Sequence, residues 1–108
     1  MLFRSLRKAA EAESGEAATL LGVCYLTGDG VYEDEAEAVR WFRRGVELGV
    51  TAAVERLARC LADGVGVERD VEEARRLLRS ALEEEENEEL RAVLAQALRE
   101  IELGEENA

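Results

Sequence analysis

The chain has 108 residues and a formal net charge of −11, with 47% hydrophobic residues, no proline and no histidine. That length fits one domain, and abundant Ala, Leu, Glu and Arg without proline favour helix. Lack of histidine removes Ser/His and Cys/His nucleophile activation, and an acidic chain without a basic stripe is a poor direct ligand for a phosphate backbone.

Residues 1–13 open the chain with Leu2, Leu6, Ala9 and Ala10 at helical spacing. They lack the apolar stretch of a secretory signal, and no later run approaches the roughly 20 apolar residues of a membrane span. The expected location is therefore cytoplasmic, with no membrane partner. A helix is predicted over 16–27, with Ala18, Leu21, Gly22 and Tyr25 on its buried stripe. The loop Gly28-Asp29-Gly30-Val31-Tyr32-Glu33-Asp34 follows. Its glycines suit backbone with positive φ. Asp34 reads as an N-cap, and Glu37, three residues on, is placed to reach back to the cap's own N–H in a capping box. The second helix, Glu35 to Leu48, would bury Ala38, Trp41, Phe42 and Gly45 and stop at Gly49 in the C′ position.

The plan returns 36 residues later, with helices near 52–62 and 71–84 around the loop Gly64-Val65-Gly66-Val67-Glu68-Arg69-Asp70. Without a gap, 50–85 superimposes on 14–49 with twelve identities, among them Leu21/Leu57, Cys24/Cys60, Gly28/Gly64, Gly30/Gly66, Asp34/Asp70 and Glu37/Glu73. A fixed period in this range signals stacked supersecondary units. The terminating glycine has become Glu85, inside the run Glu83 to Glu86, which reads as a solvated face or loose loop. Residues 88–102 carry Leu90, Val93, Leu94, Ala97 and Ile101 at helical spacing, with no glycine loop after them. The expected organisation is a single repeat domain over 1–108: an N-terminal capping helix at 1–13, repeats at 14–49 and 50–85, a C-terminal capping helix at 86–103, and a tail at 104–108 that frays.

Leu21, Gly22, Tyr25, Gly28, Gly30, Val31, Asp34, Ala38, Trp41, Phe42 and Gly49 follow a pattern that resembles the Sel1-like repeat. The second copy keeps Leu57, Gly64, Gly66, Val67, Asp70 and Ala74, but has Ala58 for the glycine, Leu61 for the tyrosine and Leu77-Leu78 for the aromatic pair. The resemblance implies an all-α solenoid, tetratricopeptide-like, in which about six helices form antiparallel hairpins in a right-handed superhelix. It also implies an adaptor surface for other proteins. Secreted cysteine-rich relatives carry paired cysteines within a repeat, a pattern from which this chain departs.

In such a stack the first helices offer three positions beside the buried stripe. These are Thr19, Val23 and Leu26, then Glu55, Arg59 and Ala62, then Arg91, Ala95 and Leu98. They are the candidate partner-binding residues, a mixed concave floor that suits a peptide or partner helix better than a small molecule. A charge reversal at Arg59 is expected to abolish binding without changing stability.

No catalytic residue is assigned. Ser5-Leu6-Arg7-Lys8 has the S-x-x-K spacing of serine acyl-enzymes without the companion elements. The glycine loops lack the Lys-Ser/Thr of a phosphate cradle. Cys24 and Cys60 fall on neighbouring first helices, where contacting axes lie about 8–10 Å apart and a disulfide needs Cα atoms within about 7 Å. Free, half-buried thiols are expected, and two cysteines without histidine make a poor zinc site. No cofactor or metal is expected.

The resulting expectation is a non-enzymatic, monomeric protein-interaction module. A protein or peptide partner, and a basic one in particular, would be drawn by the acidity, which runs from +1 over residues 1–13 to −5 over 86–108. Two alternatives stand beside it. One is an acidic inhibitor that mimics nucleic acid on a basic protein surface; the other is an engineered repeat scaffold without an evolved partner, since one lysine against thirteen arginines suits a GC-rich genome or a design process alike.

Overall fold

The computed structural model describes residues 2–106, which form six helices: α1 (Leu2–Glu11), α2 (Gly15–Thr27), α3 (Glu35–Glu47), α4 (Thr51–Asp63), α5 (Val71–Glu84) and α6 (Glu88–Glu106). Each packs on the next in chain order, and α6 also lies against α4, whereas α2 and α4 approach each other much less closely. The solenoid spans 42 × 31 × 18 Å, its short dimension being that of two helix layers about 8–10 Å apart. Helix α6 runs on through Gly104 to Glu106, three residues beyond the expected end; the last two residues of the expected tail lie outside the described residues.

Glycine chemistry turns each hairpin. Gly28 (φ 76°) and Gly64 (φ 69°) end α2 and α4 in the left-handed region, and their N–H groups donate to the Cys24 and Cys60 carbonyls. The next helix begins at an aspartate whose carboxylate accepts from a backbone N–H three residues on, Glu37 for Asp34 (3.1 Å) and Glu73 for Asp70 (3.0 Å). The other half of the expected capping box is absent, because the cap's own N–H is already used. Asp34 N–H donates to the Tyr25 carbonyl and Asp70 N–H to the Leu61 carbonyl, both at 2.8 Å, closing the loop onto the preceding helix. Glu37 and Glu73 pair instead with Arg40 (3.5 Å) and Arg43 (3.8 Å). Asp34→Ala and Asp70→Ala are each expected to cost about 1 kcal/mol through the lost side-chain cap. Urea midpoints check this, and unchanged midpoints would mean that the backbone closure alone holds the turn.

Helices α3 and α5 end differently. At α3, Gly49 (φ 83°) lets its own N–H reach the Val46 carbonyl while Val50 N–H reaches that of Gly45, the left-handed stop expected there. Glu85 stays extended (φ −76°, ψ 123°) at the matching place after α5. The carbonyls of Leu82 and Glu85 are met by the Arg91 guanidinium instead. Glu85 is also no loose residue: its carboxylate accepts from the Thr51 hydroxyl (2.5 Å) and from Asn87 N–H (3.2 Å).

The core falls into two clusters. Ala10, Ala17, Ala18 and Leu21 join α1 to α2, with Trp41 and Tyr25 against them, and Phe3 meets the Tyr25 ring edge-on at 5.4 Å. The larger cluster runs from Ala38, Val39 and Phe42 through Leu57, Ala58 and Leu61 to Leu78, Leu94 and Ile101. On α6 only Leu94, Ala97 and Ile101 are buried, while Leu90 and Val93 remain exposed. They occupy the places of Ala18/Val54 and Leu21/Leu57, which in the two repeats stand beside a second helix; among the described residues none follows α6.

Candidate interaction surface

The nine expected surface positions separate into distinct roles. Thr19 is buried, at 7% exposure, and its hydroxyl donates back to the Gly15 carbonyl at 2.9 Å. A Cβ on Gly45 would lie 2.6 Å from that hydroxyl, so α3 comes close enough to cover it. Thr19 is thus a packing residue at the α2–α3 crossing and leaves the candidate site.

Val23 and Leu26 of α2, Ala62 of α4 and Leu98 of α6 are half-buried and pack on the larger core cluster, and Ala95 is half-buried as well. These five form the apolar part of a face shared by α2, α4 and α6. Glu55 and Arg59 supply its polar part, with α6 contributing more than the alignment suggests. The Arg59 guanidinium bonds Glu55 one turn back and reaches across to Glu100 at 2.7 Å. Arg91, although exposed, is committed to the α5 carbonyls described above.

Toward the loop end of this face, Arg69 donates to the Ala62 carbonyl at 3.0 Å and pairs with Glu105 at 2.5 Å. Arg59, Arg69, Asp63, Glu100 and Glu105 rim a groove of about 360 Å³ with Val71 and Ile101 in its floor. Arg69, Glu100 and Glu105 were absent from the expected set. One signal pointed to the first of them, since Arg69 is the sole basic residue in either glycine loop. No comparable signal marked the two glutamates: Glu100 reaches Arg59 because α6 leans on α4, and Glu105 lies where α6 runs past its expected end.

The hydrogen bond to Glu100 raises the Arg59 pKa against the opposing effect of desolvation, with Glu55 adding to the rise. Glu100 is lowered from 4.5 by hydrogen bonds from Gln96 and then Arg59, and Glu85 is lowered by the Thr51 hydroxyl and then Asn87 N–H. A carboxylate whose folded value is lowered contributes stability above its unfolded value and loses it as pH falls through the folded one. The melting temperature is therefore expected to fall below pH 4.5, and Glu100→Gln should flatten that fall. An unchanged acid limb in Glu100→Gln would remove the cross-helix pair from the list of stabilising contacts. Arg59→Glu would set a third carboxylate between Glu55 and Glu100, so it is expected to lower the melting temperature too. The clean separation of binding from stability anticipated at this position is therefore no longer expected.

Cys24 and Cys60 are free, and buried rather than half-buried. Burial raises both thiols, helped by Asp29 at Cys24 and by Asp63 at Cys60, which keeps them protonated and poor nucleophiles. Among the described residues no group of three or more His, Cys, Asp or Glu side chains is arranged to hold a metal ion, and no helix is long and apolar enough to cross a membrane.

Two consecutive segments, 15–50 and 51–85, match the family model described as Sel1 repeat. No curated protein matches the chain. Among solved structures, a Sel1 repeat protein from Oxalobacter formigenes is 32% identical over 86% of this chain and 69% of its own, with a TM-score of 0.74. A protective antigen of uropathogenic Escherichia coli with an SLR fold is 33% identical at a TM-score of 0.75. The match covers 94% of this chain but only 23% of that larger protein. Cysteine rich protein B of Helicobacter pylori shares the fold, with a TM-score of 0.75 at 24% identity over 84% of this chain and 68% of its own.

Proposed function

The chain belongs to the Sel1 repeat family, and from that premise we propose that it is a non-catalytic protein-interaction module that binds a peptide or partner helix on the α2–α4–α6 face. The observation that carries this reading is the composition of that face. Val23, Leu26, Ala62, Ala95 and Leu98 offer half-buried apolar contact beside the Glu55–Arg59–Glu100 cluster, which supplies charged groups to orient a polar backbone or side chain. Apolar anchors ringed by polar groups are the usual composition of a protein-binding site. A cytoplasmic location, which the unpaired cysteines suit, and a monomeric state are part of the same proposal.

The test is capture from a bacterial lysate on the immobilised full chain, washed in steps of rising salt, with an Ala95→Arg variant in parallel. Specific binding on this face predicts one or a few proteins that persist at high salt and are lost with Ala95→Arg at an unchanged melting temperature. The net charge of −11 favours one rival, in which carboxylates mimic a nucleic acid on a basic protein. That rival predicts a broad basic set that leaves at moderate salt, since exposed charges are screened within about 10 Å at 0.1 M. Retention of nothing specific would fit a scaffold without an evolved partner.

A further inference from the structure

A second groove, also of about 360 Å³ and lined by other residues, lies between the end of α3, the start of α4 and the end of α5. Val46, Val54, Leu77 and Ala81 wall it, and Glu84 and Glu85 stand at its rim. The first repeat shows what such a corner holds. Shifted back by 36 residues, the walls become Ala10, Ala18, Trp41 and Gly45, and there the Trp41 side chain packs against the Ala10–Ala17–Ala18–Leu21 cluster. Where repeat one has an indole, repeat two has the shorter Leu77. Val46 and Val54 in place of two alanines take back part of that volume. What remains sits at the small end of the range of about 300–1,000 Å³ typical of ligand sites.

The rim changes in a consistent direction. Positions occupied by Arg44, Leu48 and Gly49 in repeat one carry Ser80, Glu84 and Glu85 in repeat two, so an arginine neutralised by Glu13 and Glu47 gives way to two carboxylates and the corner becomes anionic. We propose that this groove docks an aromatic side chain, indole above all, presented by a partner segment with flanking Lys or Arg. The ring takes the place that Trp41 holds in repeat one, and the flanking cations meet the Glu84 and Glu85 carboxylates. Trp41 itself leaves its buried Nε1 without a hydrogen-bond partner; in repeat two the Glu84 carboxylate, at the position of Leu48, offers an incoming indole N–H an acceptor. A second copy of the chain is a poor occupant: its Phe3, beside Arg4, is already packed on Tyr25 and the α1–α2 cluster. Its exposed Tyr32 sits among Asp29, Glu33, Asp34 and Glu35, and that segment would be repelled by the rim.

The site is separate from the α2–α4–α6 face, and so is its test. The isotope-labelled full chain is titrated with blocked Lys-Trp-Lys, Lys-Ala-Lys and Glu-Trp-Glu peptides and followed by amide chemical shifts. Lys-Trp-Lys is expected to give a saturating shift at Val46, Val54, Leu77, Ala81 and Glu85. The other two should bind about tenfold or more weakly, the loss expected for removing an aromatic anchor or reversing its charged frame. Leu77→Trp, which fills the groove from within as repeat one does, should abolish the shifts while the spectrum stays folded. Glu84→Lys, at an exposed position that leaves the walls intact, should weaken binding about tenfold, and it decides the matter should Leu77→Trp disturb the fold. Equal binding of Lys-Trp-Lys and Lys-Ala-Lys, undiminished binding to Glu84→Lys, or no saturable shift would overturn the proposal. Shifts confined to the α2–α4–α6 face would overturn it as well, while leaving the proposed function standing.

Discussion

Gly66→Ala is expected to destabilise the protein by about 3 kcal/mol or more, whereas Gly30→Ala, at the same place in the other repeat, should cost about 1 kcal/mol. Both glycines have positive φ, 70° and 78°, so both substitutions incur the cost of forcing an L side chain into the left-handed region. They differ in what a Cβ would meet. At Gly30 the nearest atom is Phe3 Cβ at 3.4 Å, an ordinary contact. At Gly66 the new carbon would run into the Glu35 carbonyl and lie 3.0 Å from Ala36 N. Those are backbone atoms of the first turn of α3, anchored by the Asp34 cap, and they cannot swing aside as a side chain would. The loop of repeat two is seated on the start of α3, the second helix of repeat one, and only a residue without a side chain permits that seating. Urea denaturation of the two variants side by side measures the difference. Equal losses would show that the cost lies in φ alone and that the α3 contact relaxes freely.

The same pair of glycines shows what could be read from the sequence. Their recurrence at a 36-residue spacing, with an aspartate four residues later, placed the loops, the aspartate caps and the four helices around them, while helical spacing of apolar residues placed α1 and α6. Each of these depends on a residue type with one strong conformational preference. What the sequence did not reveal was how tightly each loop is seated, because identical Gly-Val dipeptides at 30–31 and 66–67 face different neighbours. The capping box failed for a related reason: the Asp34 N–H had a competing acceptor, the Tyr25 carbonyl, which is remote in sequence and follows from the loop's three-dimensional path.

The candidate surface was legible as a face and less so as a list. A register argument put Val23, Leu26, Ala62, Ala95 and Leu98 beside the buried stripe, and all five are half-buried. It treated each helix as an independent ladder, however, and so missed Thr19 being covered by close approach at Gly45. It also missed α6 leaning on α4 to bring Glu100 to Arg59. Helix period predicts which way a residue faces, while the distance between two helices depends on the smallest side chains where they cross.

That dependence leads to the second large effect, at the crossing of α2 and α3. Phe42 is fully buried, and Phe42→Ala is expected to cost about 3–5 kcal/mol through lost burial and the cavity left behind. Its ring lies over Gly22, where an added Cβ would meet Phe42 Cε1 at 2.5 Å and Cδ1 at 2.7 Å. Gly22→Ala should therefore destabilise by about 2 kcal/mol through overpacking, even though alanine is the better helix former by about 1 kcal/mol. Repeat two has already made both changes: Ala58 stands at the position of Gly22 and Leu78 at that of Phe42, and both are fully buried there. The chain thus holds two solutions to one packing problem, a glycine under a phenylalanine and an alanine under a leucine. Transferring the second into the first, Gly22→Ala with Phe42→Leu, should cost less than the sum of the two single variants by about 1 kcal/mol or more, as expected for residues in direct contact. A four-member denaturation cycle measures that coupling. Strict additivity would mean that Phe42 can turn away from alanine at 22 without loss, and that the α2–α3 spacing is held by Gly45 against Thr19 instead.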